Sequence, residues 1–173
     1  IAITPNTKVI YAETPSNPGL DLIDLEKLSA IAKKHGLLFA VDNCFATPVL
    51  QQPLKFGADI SIHSATKYID GQGRTLGGVI LGSNELIDKI RSFARHTGPA
   101  ISPFNAWTLS KSLETLYVRM EKPCSNAIEI AKRLEERPEI RWVKYPFLEA
   151  IKEKSLSTSS LNLSCPFSLE KSP

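Results

Sequence analysis

The chain has 173 residues, of which 42% are hydrophobic and 23% charged, with a formal net charge of +3. Such a composition excludes global disorder and furnishes one or two ordinary cores, while the slight, scattered positive charge argues against a nucleic-acid surface. No apolar run approaches the ~18 residues of a membrane span and the N-terminal residues lack signal-peptide order, so a soluble cytoplasmic protein is expected.

Residues 8–12 (KVIYA) form the first run of strand character, and the segment 13–19 (ETPSNPG) after it is dense in turn residues. Asp24 then precedes Leu25, Leu28, Ile31 and Ala32, which recur at helical spacing. Asp24 is the expected N-cap and Gly36 the expected stop. Residues 37–41 are a continuous apolar run, the pattern of a buried parallel strand, with Asp42 at its end. A loop containing Pro48 and Pro53 leads to a third strand over 58–63, ending at Ser64, and residues 77–81 are a fourth. Ser83 caps a helix running to about His96, with Glu85 and Asp88 early and Arg91 and Arg95 late, as the helix dipole favours. Helices are expected over 103–119 and 123–136, and a short strand over 140–143.

Alternation of strand and helix makes the first hundred or so residues α/β with a mostly parallel sheet. Functional residues in such sheets lie beyond the carboxyl ends of the strands. That rule selects residues 13–17, Asp42 with Asn43, and residues 64–67.

The remaining features restrict the chemistry. Cys44, Cys124 and Cys165 are widely separated and form neither a disulfide framework nor a C-x-x-C spacing, so free thiols are expected. His35, His63 and His96 are scattered too, and no metal site is expected. The chain starts at Ile1, its single methionine is Met120, and all nine glycines lie at or before Gly98. Seven serines fall in residues 155–173, a tail expected to be disordered or foreign to the fold.

Ser64-Ala-Thr-Lys67 places two hydroxyls and an amine just past a buried strand. Such a group suits an anionic ligand, and a lysine there can act as a nucleophile; a plain polar loop is the other reading. Asp42 either caps a turn or pairs with a cation. A strand-end carboxylate, a strand-end lysine and hydroxyls beside it are the parts a pyridoxal phosphate site needs. Gly71-Gln-Gly-Arg-Thr-Leu-Gly77 mimics a dinucleotide fingerprint, but its glycines run into a strand where the fingerprint requires a helix. A loop with positive φ values is expected there instead.

The run 59–73 (DISIHSATKYIDGQG) resembles the cofactor-attachment signature of the Cys/Met-metabolism pyridoxal phosphate enzymes, the trans-sulfuration family. Residues 13–18 (ETPSNP) and 42–48 (DNCFATP) are similar to further motifs of that family in the same order. Asn17 to Asp42 and Asp42 to Lys67 are each 25 residues apart, which agrees with the family pattern. The resemblance covers about residues 9–147. It implies the aspartate aminotransferase-like type I fold, with a partial large domain built on a mostly parallel sheet.

By that resemblance Lys67 is the lysine that bonds the cofactor and shuttles protons, and Asp42 partners the pyridine nitrogen. Ser64 and Thr66 hold the phosphate, and Asn17 lies near the cofactor hydroxyl and the substrate carboxylate. Asn17–Pro18 is a candidate cis peptide. Residues 1–102 correspond to the C-terminal half of the cofactor domain, 103–148 to linking helices and the start of a small C-terminal domain, and 149–173 to a divergent tail. The glycines after Lys67 are most similar to those of O-succinylhomoserine sulfhydrylases, which implies γ-replacement with sulfide in methionine biosynthesis. Cystathionine γ-synthase or γ-lyase chemistry, or an inactive remnant, are the alternatives. Intact relatives are homotetramers. The family's ring-stacking aromatic residue and part of its phosphate cup lie upstream of residue 1, and its carboxylate-binding arginine lies in the C-terminal domain. This chain is therefore read as a fragment, and weak cofactor binding is expected of it alone.

Overall fold

The computed structural model describes residues 2–146 and Leu148; the Ser-rich tail lies outside the described residues. Four strands, β1 (Val9–Glu13), β2 (Leu38–Asp42), β3 (Ile60–Ser64) and β4 (Gly78–Gly82), form one sheet in the order β1-β2-β3-β4. The first two pairings are parallel and the third is antiparallel. The helices are α1 (Leu25–Lys34), α2 (Thr47–Leu50), α3 (Asn84–Thr97), α4 (Pro103–Leu113) and α5 (Leu116–Glu135), with a 3-10 turn at Pro53–Phe56.

Local chemistry explains most of these boundaries. Asp24 caps α1 by accepting from the Lys27 N–H at 3.0 Å, and Gly36 follows the helix at φ +63, a conformation glycine adopts without strain. Ser83 caps α3 by accepting from the Leu86 N–H at 3.3 Å. Between β1 and β2 lies a helix long enough to carry the chain across the sheet, so the strands run parallel. The connection from β3 to β4 has no such helix, and the chain turns back antiparallel.

One face of the sheet packs on α1. Ala12, Phe39 and Val41 meet Leu25 and Ala32 there, and each fully buried Leu or Phe side chain contributes about 1.5–3 kcal/mol. A second cluster joins Ala65 and Ile69, just after β3, to Leu109 of α4 and to Leu116, Met120 and Cys124 of α5. On the opposite face Val9, Tyr11 and Leu38 are exposed. Among the described residues β1 and β4 are the sheet's edges. Among the described residues, these strand edges and exposed apolar side chains are the surfaces expected of a partial domain.

Three expectations are corrected. The stretch 47–56, read as a loop, holds α2 and the 3-10 turn, because Pro48 and Pro53 occupy first-turn positions where no donor is lost. The break between the last two helices falls at Glu114–Thr115, not before Pro123, which lies inside α5. Leu116, Met120 and Cys124 recur every four residues and are all buried; that stripe outweighs the bond Pro123 cannot donate. Residues 140–143 are irregular, with Ile140 and Trp142 exposed. Pro123→Ala is expected to restore an N–H bond to the Arg119 carbonyl and raise stability by about 1–2 kcal/mol. Thermal unfolding checks this, and an unchanged or lower midpoint would refute it.

Candidate functional site

Parallel register brings the strand ends level: Glu13 pairs with Asp42, and Asp42 with Ile62. Side chains alternate along a strand, so Tyr11, Glu13, Asp42, Ile62 and Ser64 all face the same side. Asp42 is held at both oxygens. The Tyr11 hydroxyl donates to Oδ2 at 3.1 Å, and the Cys44 N–H donates to Oδ1 at 3.0 Å. Burial pushes the Tyr11 phenol above its ordinary value, and the hydrogen bond and charge of Asp42 add to the rise, as does the Glu13 charge.

Cys44 lies between the two strand ends. Its thiol donates to the Ser64 carbonyl at 3.6 Å. Burial drives its pKa up, the bond to Ser64 opposes that, Asp42 raises it further and Lys67 pulls it down.

Lys67 is exposed, in the turn directly after β3, where its N–H donates to the Ser64 carbonyl at 3.1 Å. Among the described residues its Nζ makes no hydrogen bond or ion pair. Ser64 is half-buried at the strand end. Thr66 is on the same turn, but its hydroxyl faces the start of β4: it donates to the Gly77 carbonyl at 3.3 Å and accepts from the Gly77 N–H at 3.1 Å. That leaves one acceptor site on the oxygen. Asn17 sits in the exposed loop after β1, and its N–H donates to Glu13 Oε2 at 3.2 Å. The Asn17–Pro18 peptide is cis, as expected, and Thr14–Pro15 is cis too. Asp42, Ser64 and Lys67 thus gather at the ends of two adjacent strands. Thr66 joins them with its hydroxyl engaged elsewhere, and Asn17 is tethered to the neighbouring strand end through Glu13.

A hollow of about 210 Å³ is lined by Pro15, Leu20, Phe45, Tyr68, Met120 and Tyr145 among others; Tyr68 follows Lys67 in the chain, but none of Asn17, Asp42, Ser64, Thr66 and Lys67 lines it. Phe45 and Tyr68 meet edge to face with ring centroids 6.4 Å apart. Behind the site, Asn43 and Gln51 form a buried amide pair. Gln51 Nε2 donates to Asn43 Oδ1 at 2.7 Å and to the Thr14 carbonyl at 3.1 Å. Asn43 Nδ2 donates to the carbonyls of Thr47 at 3.2 Å and Gln51 at 2.8 Å.

Sequence reasoning missed Tyr11 and Gln51. Tyr11 stands two residues before Glu13 and could have been placed against Asp42 only with the strand register in hand. Gln51 has no periodic signal at all. The expected loop at 71–77 is present, with Gly71 at φ +71 and Gly73 at φ +68. Among the described residues no helix is long and apolar enough to cross a membrane.

Comparison with known proteins shows what the chain is similar to. The family model for Cys/Met-metabolism pyridoxal phosphate-dependent enzymes matches residues 1–169, extending past both ends of the 9–147 stretch whose motifs were recognisable. O-succinylhomoserine sulfhydrylase of Pseudomonas aeruginosa is 51% identical over 156 residues, covering 90% of this chain and 39% of the relative. L-methionine gamma-lyase of Pseudomonas putida is 39% identical over 163 residues, covering 93% and 41%. The crystal structure of cystathionine gamma-lyase from Lactobacillus plantarum complexed with L-serine superposes with a TM-score of 0.88 at 35% identity, covering 93% of this chain and 42% of that one. The chain spans about two fifths of the length of the curated relatives it matches. It has the mostly parallel α/β sheet of part of the large domain, and it belongs to the Cys/Met-metabolism family of pyridoxal phosphate-dependent enzymes.

Proposed function

We propose that this chain carries the lysine and carboxylate side of a pyridoxal phosphate site and serves γ-replacement on an O-acylhomoserine, with O-succinylhomoserine and sulfide giving homocysteine and succinate. One observation carries the reading: parallel register sets Asp42 at the carboxyl end of β2 beside the end of β3, whose Ser64 carbonyl anchors the turn that bears Lys67. The donor set suits the cofactor's chemistry. Asp42 offers acceptor capacity on a carboxylate pinned by Tyr11 and Cys44, Lys67 offers an exposed amine, and Ser64 a hydroxyl. Thr66 would contribute through its remaining acceptor site and its place on the turn, and Asn17 would approach the substrate carboxylate from the β1 loop.

When bound, pyridoxal phosphate supplies an electron sink for the bonds that break at the substrate. Asp42 would hold the ring nitrogen's proton by charge and hydrogen bond. Lys67 would move protons between Cα and Cβ, a task suited to an amine tethered near both. The Cγ–O bond breaks with release of succinate, and the Cγ–S bond forms with hydrosulfide. In this reading residues 1–102 are half of a cofactor domain, residues 103–148 lead towards a second domain, and the assembly is a homotetramer in the cytoplasm.

The choice of γ-replacement rests on the glycine run after Lys67 and on the 51% identity to a sulfhydrylase, against 39% to a lyase. Two measurements test the proposal. Pyridoxal phosphate followed by borohydride should label Lys67 above the other lysines by peptide mass, and Lys67→Ala should lose that label. Uniform labelling of all lysines would refute the site. Joined to the remaining parts of the family fold, the chain supplied with homoserine esters and sulfide should give homocysteine; ammonia release without a thiol, or a preference for cysteine, would refute γ-replacement by sulfide.

A further inference from the structure

The turn that carries Lys67 is bonded within itself and then gripped from outside. Inside it, the Asp70 N–H donates to the Ala65 carbonyl and the Gly71 N–H to the Lys67 carbonyl, both at 2.8 Å. Its last carbonyls point onward like those at the end of a helix, where partners must come from elsewhere. Arg119, in the first turns of α5, supplies them. Its Nη1 donates to the Tyr68 carbonyl at 2.7 Å and its Nη2 to the Ile69 carbonyl at 2.9 Å. The same guanidinium reaches the α4–α5 junction, donating through Nη2 to the Ser112 carbonyl at 2.9 Å and through Nε to Thr115 Oγ1 at 3.1 Å.

Arg74 completes the pattern one carbonyl further on. Its Nη2 donates to the Asp70 carbonyl at 3.3 Å and to Ser112 Oγ at 2.7 Å. Gly71 shows how closely the parts fit: at φ +71, a Cβ on it would stand 2.1 Å from Arg119 Nη1. Ala65 and Ile69 anchor the underside of the turn in the cluster with Leu116 and Met120, while Lys67 and Tyr68 face outward. A planar fork fixes two carbonyls at a set spacing, and a cation at the carboxyl end of a helical turn is favourable.

We propose that Arg119 is a positioning residue for Lys67: its grip on the Tyr68 and Ile69 carbonyls sets the direction in which the Lys67 amine faces. The proposal rests on the reading of Lys67 as the cofactor lysine. Arg119 acts through the turn, not on the ligand. An arginine that merely fastened α5 to the sheet would alter stability and leave the reactivity of Lys67 unchanged in each folded molecule.

The test uses the 173-residue chain as wild type, Arg119→Gln, Arg119→Lys and Arg133→Gln, the last removing an exposed pair with Glu129 on the same helix. Amide hydrogen exchange is read at Asp70 and Gly71, and borohydride-trapped pyridoxal phosphate is read at Lys67 per folded molecule. Arg119→Gln is expected to speed exchange and to lower Lys67 labelling by about tenfold each, the scale of losing charged hydrogen bonds. Added ethylguanidinium should restore part of both, and Arg133→Gln should match wild type. Unchanged exchange and labelling in the folded fraction of Arg119→Gln would overturn the proposal, as would equal changes in Arg133→Gln. If Arg119→Gln does not fold, Arg119→Lys decides by the same readouts, since it keeps the charge and stem but lacks the fork. A wild-type chain that labels no better at Lys67 than elsewhere would overturn the cofactor reading; wild-type labelling that persists in Arg119→Gln would overturn only the role of Arg119.

Discussion

Replacing Asp70 by alanine is expected to lower the unfolding free energy by about 2–4 kcal/mol. Its side chain is fully buried, and it accepts from the N–H groups of Arg74 at 2.7 Å and Gln72 at 3.3 Å, and from Arg74 Nε at 3.1 Å. Alanine would leave two backbone donors and a guanidinium without their acceptor. The Arg74 side chain is 43% exposed and the two backbone bonds are part-buried, so water recovers part of the loss, and the buried Asp70 site itself the least. The effect has a pH signature. Burial alone would raise the Asp70 carboxyl, but the two N–H bonds and the Arg74 side chain outweigh it and hold the group below its ordinary 3.8. The folded state then binds the proton less readily than the unfolded one. The stabilisation is complete above that ordinary value and is lost as the pH falls through the lower folded value. Denaturant titrations along a pH series check both points. A variant as stable as wild type at neutral pH, or one with the same acid dependence, would sink the argument.

Asn43→Leu carries the second large effect, about 3 kcal/mol from near-isosteric loss of a buried amide. Asn43 and Gln51 share one hydrogen bond and donate to three backbone carbonyls, tying the end of β2 to α2 and to Thr14 beyond β1; Gln51 Oε1 is left without a partner among the described residues. They also hold Thr47 at φ +60, a conformation that costs a β-branched residue about 1–3 kcal/mol and persists only where its surroundings impose it. Because the amides act as a unit, Gln51→Leu should cost much less in the Asn43→Leu background than alone. A double-mutant cycle by chemical denaturation reads this, and simple additivity would count against the network.

Much of the fold was legible because its signals are local. The apolar run of β2, the Asp24 and Ser83 caps and the Gly36 stop all follow from short-range sterics and hydrogen bonding. The placement of Asp42 and Ser64 at strand ends was legible for a related reason: a parallel sheet presents its carboxyl ends together. What stayed hidden depends on distant parts of the chain. Proline suggested a break before Pro123, yet the buried stripe Leu116, Met120 and Cys124 carries α5 through it. Nothing near Thr66 announces that its hydroxyl bonds Gly77, eleven residues on. Nothing near Arg119 announces carbonyls fifty residues back.

The antiparallel return of β4 bears on how the Lys67 segment comes into being. Ser64 pairs with Gly78, whereas Val9 must find Leu38 at roughly twice the sequence separation. Closing a loop twice as long costs about 0.6 kcal/mol more in chain entropy. The shortest closure in the sheet is therefore the one that encloses Lys67. Contacts of low sequence separation form fastest. The β3–β4 hairpin can nucleate on its own, and β2 and then β1 can add to an edge that already carries the Lys67 turn.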